Sequence, residues 1–349
     1  MIIRVGVPYT GGRILEAAVA AQIPIMVSAG SLWNNKTRRF RRPGSLIWGY
    51  GQGINSIRTD VALDSAGFVA MKLYGHYPWS VSDYIEHCVL ASCVDPHVGG
   101  WFPWRWWSQM DLCCEPEIAS DRETVMLRVK GTADLLEECR SVCNYWYDQG
   151  YTTEMLPYPM PILQGWRPED YEKSGALLDS VVDGSWPALV GVGSVCRRHL
   201  HGPEGLIAVL TNLDRVLPKG VGLHLFGVKG DAIAKLIHIM PHRIHSVDSM
   251  AWDFAARMEA VKAGIPKTVD QRVGHMMRWM SKNLDASRLP AQQVFRFDNG
   301  PELDVILAYQ ALLEQVPDTM LPIFERLDAN ILSVMRCTMP REWKGSTTL

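Results

Sequence analysis

Short apolar runs alternate with amphipathic stretches along the first 250 residues of the chain. Eight of the runs end at or near Gly, Ser or Asp and lack helical spacing, so they predict eight buried strands. The predicted strands are residues 2–7, 24–29, 60–64, 106–113, 161–164, 188–193, 221–228 and 243–248. Between them, apolar positions recur at helical spacing, which predicts helices over residues 12–21, 81–90, 132–147, 168–182, 204–215 and 231–239.

Strands that alternate with helices indicate a parallel sheet with helices outside it. Polar residues recur at the ends of many predicted strands, which favours a closed (β/α)8 barrel (TIM barrel) over an open doubly wound sheet with a single switch point. Helical periodicity continues to about residue 284 and again over residues 300–315 and 319–335. We therefore expect an α/β fold with a barrel domain at residues 1–265 and a helical C-terminal extension at residues 266–349, packed on the barrel.

Composition narrows the class of protein. Of the 349 residues, 47% are hydrophobic, which is enough for a large core. A formal net charge of -2 excludes a globally basic nucleic-acid binder, so such binding would need a local patch. The eight cysteines follow no secreted disulfide pattern, and the N-terminus begins like a strand, so we expect a cytoplasmic protein. No apolar run approaches the ~20 residues of a membrane span.

Three aspartates mark the candidate chemistry. Asp64, Asp111 and Asp248 each follow an apolar residue directly in a strand-like stretch. Carboxyl ends of barrel strands meet at one face, so the three side chains are expected to converge on a shared site. The alternative is that each aspartate caps the helix that follows its strand.

A basic run lies in the loop after the second predicted strand. Five cations fall within seven positions there, on the face expected to carry the aspartates, where they would hold phosphates. Two further arginines extend this positive rim. The predicted nucleic-acid contacts in these segments are Lys36, Arg38, Arg39, Arg41, Arg42, Arg197 and Arg198. A solvated charged loop is the alternative.

Aromatic residues cluster between the third and fourth predicted strands, at Trp101, Phe102, Trp104, Trp106 and Trp107. Such side chains can stack on exposed bases, but they also commonly fill a core. Both interpretations stay open on the sequence alone.

Five short motifs occur in the order found in the tRNA-guanine transglycosylase superfamily. Residues 63–68 (Leu-Asp-Ser-Ala-Gly-Phe) resemble its Asp-Ser-Gly-Gly-Phe/Tyr motif, and residues 110–113 (Met-Asp-Leu-Cys) resemble Phe-Asp-Glu-Cys. Residues 162–165 (Ile-Leu-Gln-Gly) resemble Ile-Val-Gln-Gly, and residues 190–195 resemble the Gly-Gly-Leu-Ala-Val turn. Val247 and Asp248, with Arg257 downstream, resemble the Phe-Asp-Cys-Val segment and its later arginine.

The resemblance implies exchange of a nucleobase by double displacement, with no cofactor. Asp248 would be the nucleophile that attacks C1′, and Asp64 would act as general acid and base. Asp111 and Gln164 would hydrogen-bond to the edge of the base. The remaining residues implied to bind substrate are Ser65, Phe68, Gly191, Val192 and Gly193, and Arg257 would contact nucleic acid.

The chain also departs from the family pattern, because it lacks the C-terminal zinc motif Cys-x-Cys-x-x-Cys; after Cys196 only Cys337 remains. We therefore expect no zinc subdomain and no bound metal. A chain without that subdomain is similar to the DNA-modifying branch, the deazapurine DNA transglycosylases (DpdA) of phages and bacteria. The resemblance then implies DNA as partner, with a 7-deazaguanine base such as preQ0 as substrate, in the cytoplasm of a bacterium or an infected host cell.

Several alternatives remain open at this point. The chain could be a tRNA-guanine transglycosylase, an N-glycoside hydrolase in which water replaces the second base, or a non-catalytic nucleic-acid-binding subunit. An oligomer is possible, and the sequence does not specify one.

Overall fold

The computed structural model describes residues 1–41, 60–90, 104–196, 198–228 and 230–288. The chain divides into two compact units, Met1–Met250 and Ala251–Leu349. The predicted helices over residues 300–315 and 319–335 and the cysteine Cys337 lie outside the described residues.

The first unit is built on a parallel sheet of seven strands. A two-stranded antiparallel hairpin, β3–β4, is separate from this sheet. In chain order the strands are β1 (Ile2–Val7), β2 (Ile25–Ser28), β3 (Trp33–Asn34), β4 (Arg39–Phe40), β5 (Val61–Asp64), β6 (Ile162–Leu163), β7 (Leu189–Val192), β8 (Gly222–Leu225) and β9 (Ile244–Ser249). The strand order across the sheet is β5-β2-β1-β9-β8-β7-β6. The predicted α/β class with a parallel sheet is confirmed.

Helices connect these strands. They are α1 (Arg13–Ala20), α2 (Ala29–Leu32), α3 (Gly67–Tyr74), α4 (Val81–Tyr84) with the π-helical turn Ile85–Val89, α5 (Arg122–Asp148), α6 (Pro168–Val182), α7 (Leu206–Val216) and α8 (Gly230–Ile239). Helix α6 has the predicted bounds and begins with a proline, which suits the first helical position. Helix α5 begins ten residues before the prediction, because Asp121 caps it by accepting a hydrogen bond from the Thr124 N–H at 2.8 Å.

The predicted strand over residues 106–113 differs most from the structure. Only two parallel bridges form there, Leu63 with Trp107 and Ser108 with Met160. The Ser108 N–H donates to the Leu63 carbonyl at 2.9 Å on one side, and the Met160 N–H donates to the Trp107 carbonyl at 2.8 Å on the other. The segment around Trp107 and Ser108 thus bonds both to the edge strand β5 and to Met160, just before the opposite edge strand β6. The two edges of the sheet therefore approach the same segment, and the sheet is curled.

The parallel pairing of this segment ends at Gln109. From there the side chain of Gln109, and not the backbone, makes the hydrogen bonds to the neighbouring segments. Gln109 Oε1 accepts a hydrogen bond from the Ile162 N–H at 3.1 Å, and Gln109 Nε2 donates to the Thr132 carbonyl at 2.7 Å. The chain then leaves the sheet and carries Asp111 across its edge.

Burial follows the apolar runs. In β1 every residue after the first is buried, as expected for a parallel strand covered on both faces. The second unit contains α9 (Ala251–Ala263) and α10 (Val269–Arg288), which contact each other. Asp253 is buried there and accepts hydrogen bonds from Arg257 and Arg272. None of the described helices is both long and apolar enough to cross a bilayer.

Candidate active site

Strand ends deliver the candidate side chains to one edge of the sheet. Asp64 is the last residue of β5, and Asp248 is the fifth residue of β9. Gln164 follows β6 directly, and Gly193 follows β7. Because all these strands are parallel, their carboxyl ends lie at the same edge.

The negative charges of the other two aspartates affect the pKa of Asp64. Burial raises its pKa to about 7, and the negative charges of Asp111 and Asp248 act in the same direction. Hydrogen bonds from the Ala66 N–H and the Ser28 hydroxyl oppose this rise. The three carboxylates therefore lie within electrostatic range of one another, and a pKa of about 7 lets Asp64 exchange its proton near neutral pH.

Asp111 lies in a cradle of donors. The carboxylate is buried, and it accepts hydrogen bonds from Ser65 Oγ at 2.9 Å and from the Gln164 amide nitrogen. Burial raises its pKa, and these donors act against that rise. A Cβ on Gly67 would lie 2.6 Å from Asp111 Oδ1, so only glycine permits this approach. Ser65, expected to bind substrate, is itself fully buried and supports Asp111.

Tyr77 is a member of the site that the sequence patterns did not mark. Its hydroxyl accepts a hydrogen bond from the Asp111 N–H at 3.1 Å and lies 3.1 Å from Ser65 Oγ. Burial raises its pKa well above the usual value, so it stays a neutral phenol. Tyr77 follows α3 in a loop without periodicity, where a single tyrosine carries no recognisable signal.

Gln164 is oriented from both ends of its amide. Its nitrogen donates to Asp111, and its Oε1 lies 2.7 Å from Ser194 Oγ. The Gln164 N–H donates to Ser174 Oγ of α6 at 3.1 Å, which fixes the backbone as well. The side chain of Ser194, for which the sequence patterns predict no role, thus contacts a predicted base-binding group.

Asp248 is held by a backbone donor and a histidine. Its Oδ1 accepts a hydrogen bond from the Gly227 N–H at 2.9 Å and lies 3.3 Å from His224 Nε2. His224 is fully buried, which lowers its pKa and keeps the ring neutral at pH 7. Its Nδ1 lies 2.8 Å from Ser246 Oγ. His224 lies inside an apolar strand, where a histidine commonly packs in the core, so the pattern did not mark it either.

Backbone groups of the segment 191–193 are engaged within the fold. The Gly191 and Gly193 N–H groups donate to the carbonyls of Pro161 and Leu163, and the Val192 carbonyl accepts from Phe226. The Gly193 carbonyl accepts from the Tyr171 hydroxyl at 2.8 Å. The resemblance implies that these residues bind substrate, but these four backbone groups are already paired within the fold. Phe68 packs partly buried against the cluster of Ala70, Met71 and Cys113.

The basic run forms the hairpin β3–β4 and its flanks. Lys36, Arg38, Arg39 and Arg41 are all exposed, whereas Arg42 lies outside the described residues. The base of the hairpin is aromatic, because Trp33 and Phe40 each pack against Trp79 with ring centroids 5.1 Å apart. Trp79 contacts Tyr77 at 5.5 Å, so packed rings connect the hairpin to the tyrosine that holds Asp111.

Arg198 does not lie on a positive rim, in contrast to the expectation. It is 6% exposed, and its guanidinium donates to the carbonyls of Trp166 at 2.6 Å, Glu204 at 2.7 Å and Ser194 at 2.9 Å. The same group stacks 4.0 Å from the Trp166 ring. Its donors are engaged by the backbone, so it stabilises the loop after β7. Arg197 lies outside the described residues.

Arg257 belongs to the second unit, where it pairs with Asp253 at 2.7 Å across one helical turn. Among the aromatic residues, Trp104 and Trp107 are buried, which confirms the core interpretation for these two, and Trp101 and Phe102 lie outside the described residues. Within the described ranges, no group of three or more His, Cys, Asp or Glu side chains is arranged to hold a metal ion.

Comparison with known proteins yields one family. The family model described as DpdA, DeoxyPurine in DNA protein A, matches residues 47–299, which is more than half of the chain. The matched region contains Asp64, Asp111, Gln164 and Asp248, whereas the basic hairpin precedes it. A search of curated proteins finds no match.

Proposed function

Since the chain belongs to the DpdA family of the tRNA-guanine transglycosylase superfamily, we propose that it exchanges guanine in DNA for a 7-deazaguanine base. The observation that carries this proposal is the convergence of Asp64, Asp111 and Asp248 at one edge of the sheet, where Asp64 has a pKa of about 7. A double displacement needs a nucleophilic carboxylate and a group that gives and takes a proton, and we assign these roles to Asp248 and Asp64.

In the first step, the Asp248 carboxylate attacks C1′ of the target nucleotide. The bond from C1′ to guanine breaks, and protonated Asp64 gives its proton to the leaving base. In the second step, the Asp64 carboxylate takes the N9 proton of the incoming 7-deazaguanine. The new C1′–N9 bond forms as the bond between C1′ and Asp248 breaks, so the enzyme is regenerated with retention at C1′.

Two neighbours prepare Asp248 for this role. The Gly227 N–H holds one carboxylate oxygen, which orients the side chain, and neutral His224 presents its Nε2 to the same oxygen. A tautomer with the proton on Nε2 leaves Nδ1 to accept from the Ser246 hydroxyl. A neutral imidazole N–H can donate a hydrogen bond to the Asp248 carboxylate without cancelling its negative charge.

Base recognition is assigned to Asp111 and Gln164. An ionised Asp111 accepts hydrogen bonds from the N1–H and exocyclic amine that guanine and 7-deazaguanines have in common. The site therefore supports binding of both the outgoing and the incoming base, as an exchange reaction requires.

We further propose that residues 105–109 act as the eighth strand of a closed (β/α)8 barrel. Their hydrogen bonds to β5 and to Met160, just before β6, support this closure. The exposed cations of the hairpin β3–β4 are proposed to hold the phosphates of the DNA, and a guanine within a duplex would have to leave the base stack to reach the aspartates.

The experiment is to incubate the protein with labelled 7-cyano-7-deazaguanine and with duplex DNA, single-stranded DNA or tRNA in parallel. We expect label in DNA and a covalent protein–DNA species on denaturing gels. Asp248→Asn should abolish both, at a cost of at least about 10³-fold in rate, and retain DNA binding. Asp134→Asn, an exposed aspartate on α5, is the matched control and should behave as wild type.

Each of the other outcomes would assign a different activity to this chain or a different role to Asp248. Label found only in tRNA would assign the tRNA reaction, and release of guanine without incorporation would assign a hydrolase. A covalent species that persists in Asp248→Asn would remove Asp248 from the nucleophile role.

A further inference from the structure

A fourth carboxyl group lies next to the site without a role in the reaction. Glu115 is 4% exposed and follows Asp111 by four residues in the same extended segment. Its Oε2 lies 2.8 Å from Ser194 Oγ, which in turn lies 2.7 Å from Gln164 Oε1. The backbone N–H of Cys114 also donates to Ser194 Oγ, at 2.6 Å. Glu115, Ser194, Gln164 and Asp111 thus form one hydrogen-bonded chain, here called the relay.

The number of protons in the relay restricts its possible states. A serine hydroxyl has one proton, yet Ser194 Oγ contacts two acceptor atoms, Glu115 Oε2 and Gln164 Oε1. With its amide nitrogen on Asp111, Gln164 presents Oε1 to Ser194 and needs the serine proton. The contact between Ser194 and Glu115 then has no proton unless Glu115 carries one.

We propose that Glu115 is a positioning residue that donates a carboxylic-acid proton to Ser194 and thereby fixes the orientation of the Gln164 amide. Ser194 donates to Gln164 Oε1, and the Gln164 nitrogen donates to Asp111. This order leaves Asp111 as an ionised acceptor for the base. The effect on base binding rests on the proposed function, whereas the protonation state of the relay does not depend on it.

The opposite state shows why this order matters for specificity. If Glu115 is ionised, it takes the Ser194 proton, and the Gln164 amide must turn to donate to Ser194. Gln164 Oε1 then faces Asp111, which has to be protonated to avoid two acceptors in contact. A protonated Asp111 offers a donor to the base edge, where guanine and 7-deazaguanines present donors themselves. The ionised state of Glu115 therefore opposes base binding.

The surroundings favour the neutral acid. Burial raises the pKa of Glu115, and the charges of Glu117 and Asp111 act in the same direction, whereas a hydrogen bond from Ser194 acts against them. Of the other titratable groups that face it, Cys113 and Cys114 belong to its own segment and Tyr171 to α6, and burial raises the pKa of each of these above its usual range. Among the nearby cations, Arg128 lowers the pKa of the two thiols and Arg198 lowers that of Tyr171, and neither is among the main causes of the shift at Glu115.

The first experiment needs no substrate. The protein is labelled with ¹³C at the side-chain carboxyl groups of glutamate, and the signal of Glu115 is identified by its loss in Glu115→Gln. We expect Glu115 to take up its proton at a pH above the range usual for exposed glutamates. Titration of Glu115 within that usual range would overturn the proposal.

The second experiment measures KM and kcat for guanine and for 7-cyano-7-deazaguanine with DNA. Glu115→Gln keeps a donor toward Ser194, so KM should stay within about twofold of wild type. Glu115→Met has similar volume but no donor, and it should raise KM about tenfold, the effect of one lost hydrogen bond, with a smaller change in kcat. Glu137→Gln, at an exposed position on α5, is the control and should leave both constants unchanged.

The pH dependence separates positioning from simple packing. In wild type, KM for the base should rise as the pH increases through the pKa of Glu115, and Glu115→Gln should lack this rise because an amide does not ionise. The same rise in both proteins, or equal KM values in wild type and both Glu115 variants, would contradict the proposal. If wild type transfers no base while Glu115 still titrates above the range usual for exposed glutamates, the proposed function fails and the relay stands.

Discussion

Gly193 faces the amide of Gln164 so closely that no side chain fits between them. A Cβ at residue 193 would lie 2.7 Å from Gln164 Cδ, well inside van der Waals contact. The backbone of Gly193 is bonded on both sides, to the Leu163 carbonyl and to the Tyr171 hydroxyl, so it cannot retreat. The glycine thus fixes the depth at which a predicted base-binding side chain lies.

Gly193→Ala should therefore displace Gln164 and break its hydrogen bonds to Asp111 and Ser194. We expect kcat/KM for the base to fall at least about 100-fold, since two buried hydrogen bonds are disturbed. Gly175→Ala on α6 is the matched control, because its Cβ would meet only Leu163 Cδ2 at 3.8 Å and alanine favours a helix. Base-exchange kinetics with a thermal melt of each variant checks this, and equal loss in both variants would contradict it.

Asp64 should make activity depend on pH near neutrality. In the proposed mechanism this group is protonated to release guanine and ionised to accept a proton, so with a pKa of about 7 the exchange rate should peak close to pH 7. Asp64→Asn should lower the rate by about 10²- to 10⁴-fold and remove the dependence on this group. A pH–rate profile of both proteins measures it; an unchanged profile in the variant would assign the titration to another residue.

The same shift makes a prediction about stability. Because the pKa of Asp64 rises from 3.8 to about 7 on folding, the native state binds more protons than the unfolded state between these values. The free energy of unfolding should therefore fall as pH increases from about 4 to 7. At pH 8, Asp64→Asn should be more stable than wild type by about 1–3 kcal/mol, and at pH 3.5 the two should be alike. Denaturant unfolding at both pH values measures this, with Asp134→Asn as the exposed control.

The hairpin β3–β4 should govern the affinity for DNA and its dependence on salt. Arg39→Ala with Arg41→Ala removes two exposed cations, so affinity should fall and the salt slope should flatten by about 0.9 for each phosphate that is no longer neutralised. Lys173→Ala with Lys219→Ala removes the same charge from exposed positions elsewhere. Titration of duplex DNA at several salt concentrations compares the pairs, and equal slopes would show that only net charge matters.

The amino-acid pattern determined the strands well where burial was continuous. The apolar run at residues 2–7 became β1 with those bounds, and the proline-led repeat at residues 168–182 became α6. Both depend on local signals, namely an apolar run too short for a helix and a proline at a first helical turn. The run at residues 106–113 kept only two bridges, because the side chain of Gln109 took over a backbone role that no local pattern encodes.

For the candidate site, the sequence by itself predicted the three aspartates and Gln164, because each follows apolar residues within an ordered set of motifs. Only the tertiary structure decided which side chains support them. Tyr77, Ser194, His224 and Glu115 lie far along the chain from at least one of their partners, and Arg198 turned inward to backbone carbonyls. Long-range hydrogen bonds and burial select these roles, and neither quantity exists until the strands have been brought side by side.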